Sequence, residues 1–408
     1  MKRLRKKARE LLQTANKVYH YRRDVISDEH LKELETEVVE LEALLKDKAV
    51  KENSLQASMK QLNVLLNKIG GKIYPKTFWS DNLEVILVAA ILVIGVRTFF
   101  FQPFIIPTNS MYPTYSGMTY KAYADINDLP DSTQKAFNKI RLGSRHKKLI
   151  AKNSGPISLL LFRSEKGQIT RYREVPYRKF FIFPAKRPEY VFSVGGIIQK
   201  IQVPPEFNML PVIDEFFPDA NLTTPVPSKQ SSIGRALLMN RTAIKGDLLM
   251  CFDINLGDAL FVDRFSYHFK RPKVGDPFVF RTNAIREELK RLTGDGTDKY
   301  YIKRIAGIAG ETLEIKDGAL LVNGKLRDEI PAFVRNAEKE GEYKGYVNHG
   351  LLAKGRKLKI PENSFVALGD NSGDSQDSRF WGFVPDKSVI GKAIFIYYPF
   401  TKRWGLAE

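Results

Sequence analysis

One apolar stretch limits what this chain can fold into. From Val85 to Val96 every residue is apolar or glycine, within "NLEVILVAAILVIGVRTFFFQPFII", Asn82 to Ile106. With Arg97 reaching back to an interface and Phe99, Phe100 and Phe101 forming an aromatic belt, residues 82–106 read as one transmembrane helix. A buried helix of a soluble domain is the competing reading. The Lys/Arg-rich segment before residue 82 puts the N-terminus in the cytoplasm, so the chain after residue 106 is expected on the extracytoplasmic side of a lipid bilayer. No second span is read.

The segments on either side differ in pattern. The first ten residues, "MKRLRKKARE", are strongly basic and lead into no apolar core, which excludes a secretory signal peptide. Over 28–69, Leu31, Leu34, Val38, Leu41 and Leu45 recur three and four apart. Lys48 and Glu52 keep the register, and Leu55, Met59, Leu62, Leu66 and Ile69 resume it. The pattern predicts a short coiled coil, with self-association through it, or a helical hairpin; a single amphipathic helix fits almost as well. Gly70-Gly71 and Pro75 end it. Residues 1–81 therefore form a cytoplasmic helical region.

Beyond residue 119 short β-like runs such as "PISLLLF", "YVFSV", "ALFVDRF", "PFVFR" and "AIFIYY" are broken by Gly, Pro and Asp. "NAIREELKRL", Asn283 to Leu292, is a local helix or loop. The expected fold is a mostly β extracytoplasmic domain behind a helical arm and one transmembrane helix. The net charge of +19 suits an anionic membrane surface, though cations spread over solvated faces account for it equally well. One cysteine, Cys251, excludes an internal disulfide, and five scattered histidines show no metal-ligand spacing. No metal or cofactor is expected. With no DNA-binding helix pair in the pattern, no nucleic-acid partner is expected either.

Directly after the apolar run comes "PTNSMYPT", Pro107 to Thr114, which centres Ser110 between two prolines. A Ser-His-Asp triad needs a well-placed histidine, and none stands near these runs. The other activator is a neutral lysine, which needs an apolar setting. "KYYIKRIAGIAGE" offers Lys303, on the same strand face as Tyr301 and Ile305, with Arg304 turned the other way into solvent. Spacing alone favours an edge-strand charge with its amine in water. "LGDNSGDSQDSRFWGFVP", Leu368 to Pro385, packs acids and hydroxyls among glycines; the EF-hand order with its terminal Glu is absent, which argues against calcium.

Taken in order, these boxes resemble the bacterial type I signal peptidases, also called leader peptidases. "VRTFFFQPFIIPTNSMYPT" is similar to the family's membrane exit and nucleophile motif. "GDALFVDRFSY", "YYIKRIAGIAGE", "LGDNSGDSQDSRFWGFVP" and "IGKAIFIYYP" are similar to its later boxes. The resemblance covers roughly residues 85–116 and 256–405. It implies a serine endopeptidase of the bacterial inner membrane that removes signal peptides from secretory preproteins, cutting after small residues in an Ala-x-Ala pattern. It implies Ser110 as nucleophile and Lys303 as general base, and an oxyanion hole made by the Ser110 N–H and the Thr108 hydroxyl. Ser375 would orient the lysine, Asp377 and Arg379 would brace the last loop, and Met111 would help position the site.

On this reading residues 107–118 carry the nucleophile, 119–250 are an inserted β-rich domain, and 251–408 complete the catalytic domain, with a small β subdomain near 311–365. Relatives join the first two boxes by a much shorter connection. Ser372 stands where they have Arg, Asn109 where Gly is common, and Thr108 where Ser is common. The alternative from another class is a membrane-tethered scaffold on an inactive peptidase-like core.

Overall fold

The computed structural model describes residues 1–407 except 48–49, 76–77, 126–127, 166, 180–181 and 295. Two compact units divide it, Met1–Val96 and Arg97–Glu408.

The first unit is helical. α1 (Lys2–Arg22), α2 (Asp28–Lys46) and α3 (Glu52–Ile69) pack together around Ala8, Ala15, Val18, Leu34, Leu41, Leu55, Leu62 and Leu66, all buried. The seam read over 28–69 is thus split between two helices of one chain. Asp47 leaves the helical region with ψ 118°, and Lys51 precedes α3 with ψ 143°. Glu52 opens α3, and Lys48 lies outside the described residues. Covering the apolar stripes within one chain satisfies them without a second copy, because a stripe needs an apolar partner of either origin.

α4 (Phe78–Phe99) follows, and Val85, Ile86, Leu87, Val88, Ile91, Leu92, Val93 and Ile94 are exposed on it. Consecutive positions point to every side of a helix, so α4 is apolar all round over residues 85–94. The span expected over 82–106 requires correction. The helix stops at Phe99, and Phe101–Ile105 is a β-strand. Pro103 removes a backbone donor that a helix would need, and a neighbouring strand supplies a ladder in its place. Among the described residues, no helix is long and apolar enough to cross a membrane.

The second unit is mostly β. Its largest sheet is antiparallel and has eight strands among the described residues, numbered here within the sheet: β1 (Phe101–Ile105), β2 (Ala259–Asp263), β3 (Pro277–Arg281), β4 (Tyr300–Ile308), β5 (Ser364–Leu368), β6 (Val384–Pro385), β7 (Val389–Tyr398) and β8 (Gly405–Leu406). They run in the order β1-β2-β7-β3-β4-β5-β6, with β8 beside β7. Phe278, Phe280, Ile305, Phe365, Ala367 and Trp381 pack on one another beside these strands. "NAIREELKRL" becomes a 3-10 turn, Thr282–Ile285, leading into the helix Arg286–Thr293.

Among the described residues a four-stranded sheet from Thr312–Lys316, Ala319–Val322, Lys325–Leu326 and Leu358–Lys359 packs around Leu313, Leu320, Phe333 and Leu352, a core that Ala306 of β4 and Val366 and Leu368 of β5 complete. The chain between β1 and β2 builds further sheets. Thr119–Ala122 and Arg145–Ile150 flank Leu248–Asn255, so pairing in this part continues beyond residue 250. Among the described residues a six-stranded sheet lies between them in sequence, and both share the core of Leu159, Phe192, Met209, Phe217, Leu249 and Phe252.

Candidate active site

The nucleophile segment is pinned from both ends. The Ile106 N–H donates to Asp258 O (2.9 Å), the Ser116 N–H to Asp258 Oδ2 (2.7 Å) and the Met118 N–H to Pro107 O (3.1 Å). Asp258 is fully buried and also accepts Nε of Arg403 at 2.9 Å. Asn109 has a clear place in this loop: its Oδ1 accepts from Gly117 N (2.9 Å) and its carbonyl from Asn371 Nδ2 (3.1 Å). It spans the turn and ties it to the last box, which a Gly cannot do with a side chain. Met111 is buried with Ile106, Tyr115, Leu260, Ala393 and Ile396, holding the chain just past Ser110 against the sheet.

Lys303 sits on β4 opposite Phe278 of β3. Its Nζ lies 2.5 Å from Ser110 Oγ across a sequence separation of 193, and the two residues are 4% and 8% exposed. Burial pulls the lysine amine down to about 8, while Asp377 and Asp370 push it back up. Taking an ammonium out of water favours its neutral form, and a neutral amine can accept a proton. A serine hydroxyl within reach of such an amine is the arrangement needed for nucleophilic attack by general-base catalysis.

Arg304, expected in solvent, is 3% exposed instead. It grips Asp370 with Nε on Oδ1 at 2.8 Å and Nη2 on Oδ2 at 2.6 Å, and Nη1 donates to Gly275 O at 2.7 Å. Thr114 donates to the same carboxylate at 2.5 Å. Strand alternation correctly sends Arg304 away from Lys303, but it does not reveal that the opposite face is covered too. Arg304 therefore fastens the nucleophile segment to the loop after β5.

In that loop Asp377 and Arg379 are buried against each other, Nε to Oδ1 at 2.8 Å and Nη2 to Oδ2 at 2.8 Å. Arg379 also donates to the carbonyls of Val347 (2.9 Å), Ser372 (2.6 Å) and Ser375 (3.1 Å). Ser372 accepts from Val347 N at 2.9 Å, so this position is built into the loop as a hydroxyl. Ser375 is buried, and its Oγ has no hydrogen-bond partner among the described residues. The bond from Ser375 to Lys303 that the resemblance implies is not formed here. Thr108 is exposed two residues before Ser110, and its carbonyl is packed against Gly117, where a Cβ would sit 2.5 Å from the oxygen.

Asp258, Arg403, Asp370 and Asn371 were not singled out from the sequence. Each acts through a partner distant in the chain, although "GD" and "GDN" at the ends of β2 and β5 are short polar signals next to apolar runs. Gly369 has a similar role. A Cβ there would lie 2.2 Å from Ser375 Oγ and 2.4 Å from Ser110 O. Gly369→Ala is expected to destabilise the fold by about 1–3 kcal/mol through overpacking and to displace Ser110. Thermal unfolding measures the first effect and labelling of Ser110 by a serine-directed acylating reagent the second. Unchanged unfolding together with unchanged labelling contradicts the close packing.

The family model described as Signal peptidase, peptidase S26 matches residues 235–398. Signal peptidase I of Leptolyngbya laminosa is 32% identical over 150 residues, covering 36% of this chain and 64% of that protein. Signal peptidase I of Bacillus licheniformis is 33% identical over 131 residues, covering 31% of this chain and 68% of that protein. The chain belongs to the signal peptidase I family. Probable signal peptidase I-1 of a Synechocystis strain is 31% identical, with 66% of its length covered. The chain thus spans slightly less than two thirds of the Leptolyngbya and Synechocystis relatives. The match to the S26 model includes Lys303, Ser375, Asp377 and Arg379. Ser110 stands before it, separated by the intervening β unit.

Proposed function

We propose that this protein is a membrane-associated serine endopeptidase that removes N-terminal signal peptides from exported preproteins. Ser110 attacks the scissile carbonyl while neutral Lys303 takes its proton. The developing oxyanion is held by the Ser110 N–H and the Thr108 hydroxyl, one such donor contributing roughly 3 kcal/mol. Lys303 then gives its proton to the leaving amine and activates the water that hydrolyses the acyl-enzyme. Cleavage after small residues, of the Ala-x-Ala type, comes from the family. The observation that carries the reading is the buried Ser110–Lys303 contact, two residues that no local structure would bring together.

α4 supplies membrane attachment, since a helix apolar on every side is stable in lipid and costly in water. By the family's pattern the β unit lies on the extracytoplasmic face of the bacterial inner membrane, where a preprotein's apolar segment brings its cleavage site. The inactive scaffold explains less. It has no need for a lysine kept in a buried site and aimed at a serine.

The test incubates detergent-solubilised full-length chain with a preprotein. Wild type is expected to release mature protein, while Ser110→Ala is expected to fall at least about a thousandfold in kcat/KM with an unchanged Tm. Uncut preprotein with wild type, or equal cleavage by Ser110→Ala, refutes the proposal.

A further inference from the structure

The helical unit carries a charge pattern that cleavage does not use. On α1, Leu4, Ala8, Leu11 and Ala15 pack into the core of the three-helix bundle. Lys2, Lys6, Arg9 and Gln13 fall within about 60° of one another on the opposite side of a helix with 3.6 residues per turn, and all four are exposed. Arg3 stands beside them, also exposed. Among the described residues Lys2, Arg3 and Arg9 meet no carboxylate within ion-pair distance, and Lys6 reaches only Glu10, at 4.0 Å, with both side chains exposed. Arg5 is not part of this face, since it donates to Leu45 O and Asp47 O and ties α1 to the end of α2. The acids gather on α2, where Asp28, Glu29, Glu33, Glu35, Glu40 and Glu42 are exposed against Lys32 and Lys46. On α3, Glu52 stands against Lys60 and Lys68.

A short tether decides what the cationic face meets. Ile73 and Tyr74 still pack on the bundle, with the Tyr74 hydroxyl donating to Asn63 Oδ1, and α4 opens at Phe78. The chain from Tyr74 to Phe78 reaches at most about 14 Å, and Val85 follows about 10 Å further along the helix. The bundle is therefore held within roughly 25 Å of the start of the apolar run, less than the ~30 Å length of α1. Where α4 lies in lipid, as proposed above, a body tethered so closely turns one face to the headgroups. Charge selects that face: anionic lipid attracts the α1 stripe and repels α2. Cations resting on headgroups fall inside the screening length of about 8 Å.

We propose that the outer face of α1 is a seat on anionic phospholipid: Lys2, Arg3, Lys6 and Arg9 contact the headgroups of the bilayer that α4 enters, with the acidic face of α2 turned from it. No apolar side chain stands between these cations, so α1 rests among the headgroups and does not enter the acyl region.

The experiment reads this face directly and does not depend on cleavage. Gln13→Cys in the full-length chain is labelled with a fluorophore; Cys251 is fully buried and stays unlabelled. The chain is reconstituted in vesicles of phosphatidylcholine alone or with about 30% phosphatidylglycerol, each with headgroup-spin-labelled lipid as quencher. Quenching is expected to be several-fold stronger with the anionic lipid. It is expected to fall to the neutral-vesicle level at high salt and in a Lys2→Glu/Arg3→Glu/Arg9→Glu chain. Glu in the first turn suits the helix dipole, so the reversal of charge leaves α1 helical, which circular dichroism checks. Flotation with the vesicles at high salt reads α4 separately. A chain that does not float overturns the membrane reading of α4 and this proposal with it. A chain that floats with equal quenching in both vesicles, or with quenching untouched by the charge reversal, overturns this proposal alone. A probe that is immobilised at high protein density without quenching marks α1 on α2 of a second copy and overturns it too.

Discussion

Lys303→Met is expected to abolish preprotein cleavage, by at least about a thousandfold, while making the folded chain more stable at neutral pH. Methionine keeps the length and apolar character of the side chain but cannot take the Ser110 proton. The stability gain follows from the amine's shift. Burial holds Lys303 at about 8, below its ordinary value of 10.5. The folded state therefore binds fewer protons than the unfolded state between these two values. The penalty is fully present below pH 8, falls as pH rises from 8 to 10.5, and is gone above that. A shift of this size corresponds to about 3 kcal/mol, from which the lost contact to Ser110 subtracts. Thermal unfolding of wild type and Lys303→Met from pH 6 to pH 11 is expected to show the variant ahead at low pH and the difference closing as pH rises. Activity of the wild type follows the neutral amine and rises with pH through about 8. Cleavage that persists in Lys303→Met, or a profile flat across pH 8, removes the lysine from its role.

How far the sequence reaches depends on the range of the interaction that decides each feature. The β-rich character of the second unit follows from local alternation and turn residues. Ser110 and Lys303 are visible only as members of ordered motifs, because 193 positions separate them and spacing alone argued for a solvated lysine. Arg304 shows the limit of strand periodicity. The alternation gives its direction, but only the fold supplies Asp370 and Thr114 on that side. The apolar run shows a different limit. Hydropathy continues through Phe104, Ile105 and Ile106, yet Pro103 and the available edge of β2 turn the same residues into a strand. In the N-terminal unit the three-four spacing carries through two helices that pack on each other, so the helical hairpin is one of the readings it offers, but the register does not reveal that α2 ends at Lys46 and α3 begins at Glu52.

Arg379→Met is expected to destabilise the protein by about 3–5 kcal/mol, the usual consequence of leaving one member of a buried ion pair without its partner. The pair is completely enclosed, with Arg379 2% and Asp377 0% exposed. Arg379 also collects three loop carbonyls that would lose their donor. The change reaches the nucleophile's activator as well. Asp377 raises the Lys303 amine and Arg379 lowers it, so removing the arginine leaves the carboxylate acting alone on the lysine. The rise of activity is then expected at higher pH than in wild type, and Asp377→Asn is expected to move it to lower pH. A double variant, Asp377→Leu/Arg379→Met, removes both buried charges and is expected to be more stable than either single change. Loss of stability without displacement of the pH profile would make the pair a brace for the loop and no more. Displacement in opposite directions by the two single variants ties the loop's charges to Lys303, because packing alone gives no reason for the sign to follow the charge removed.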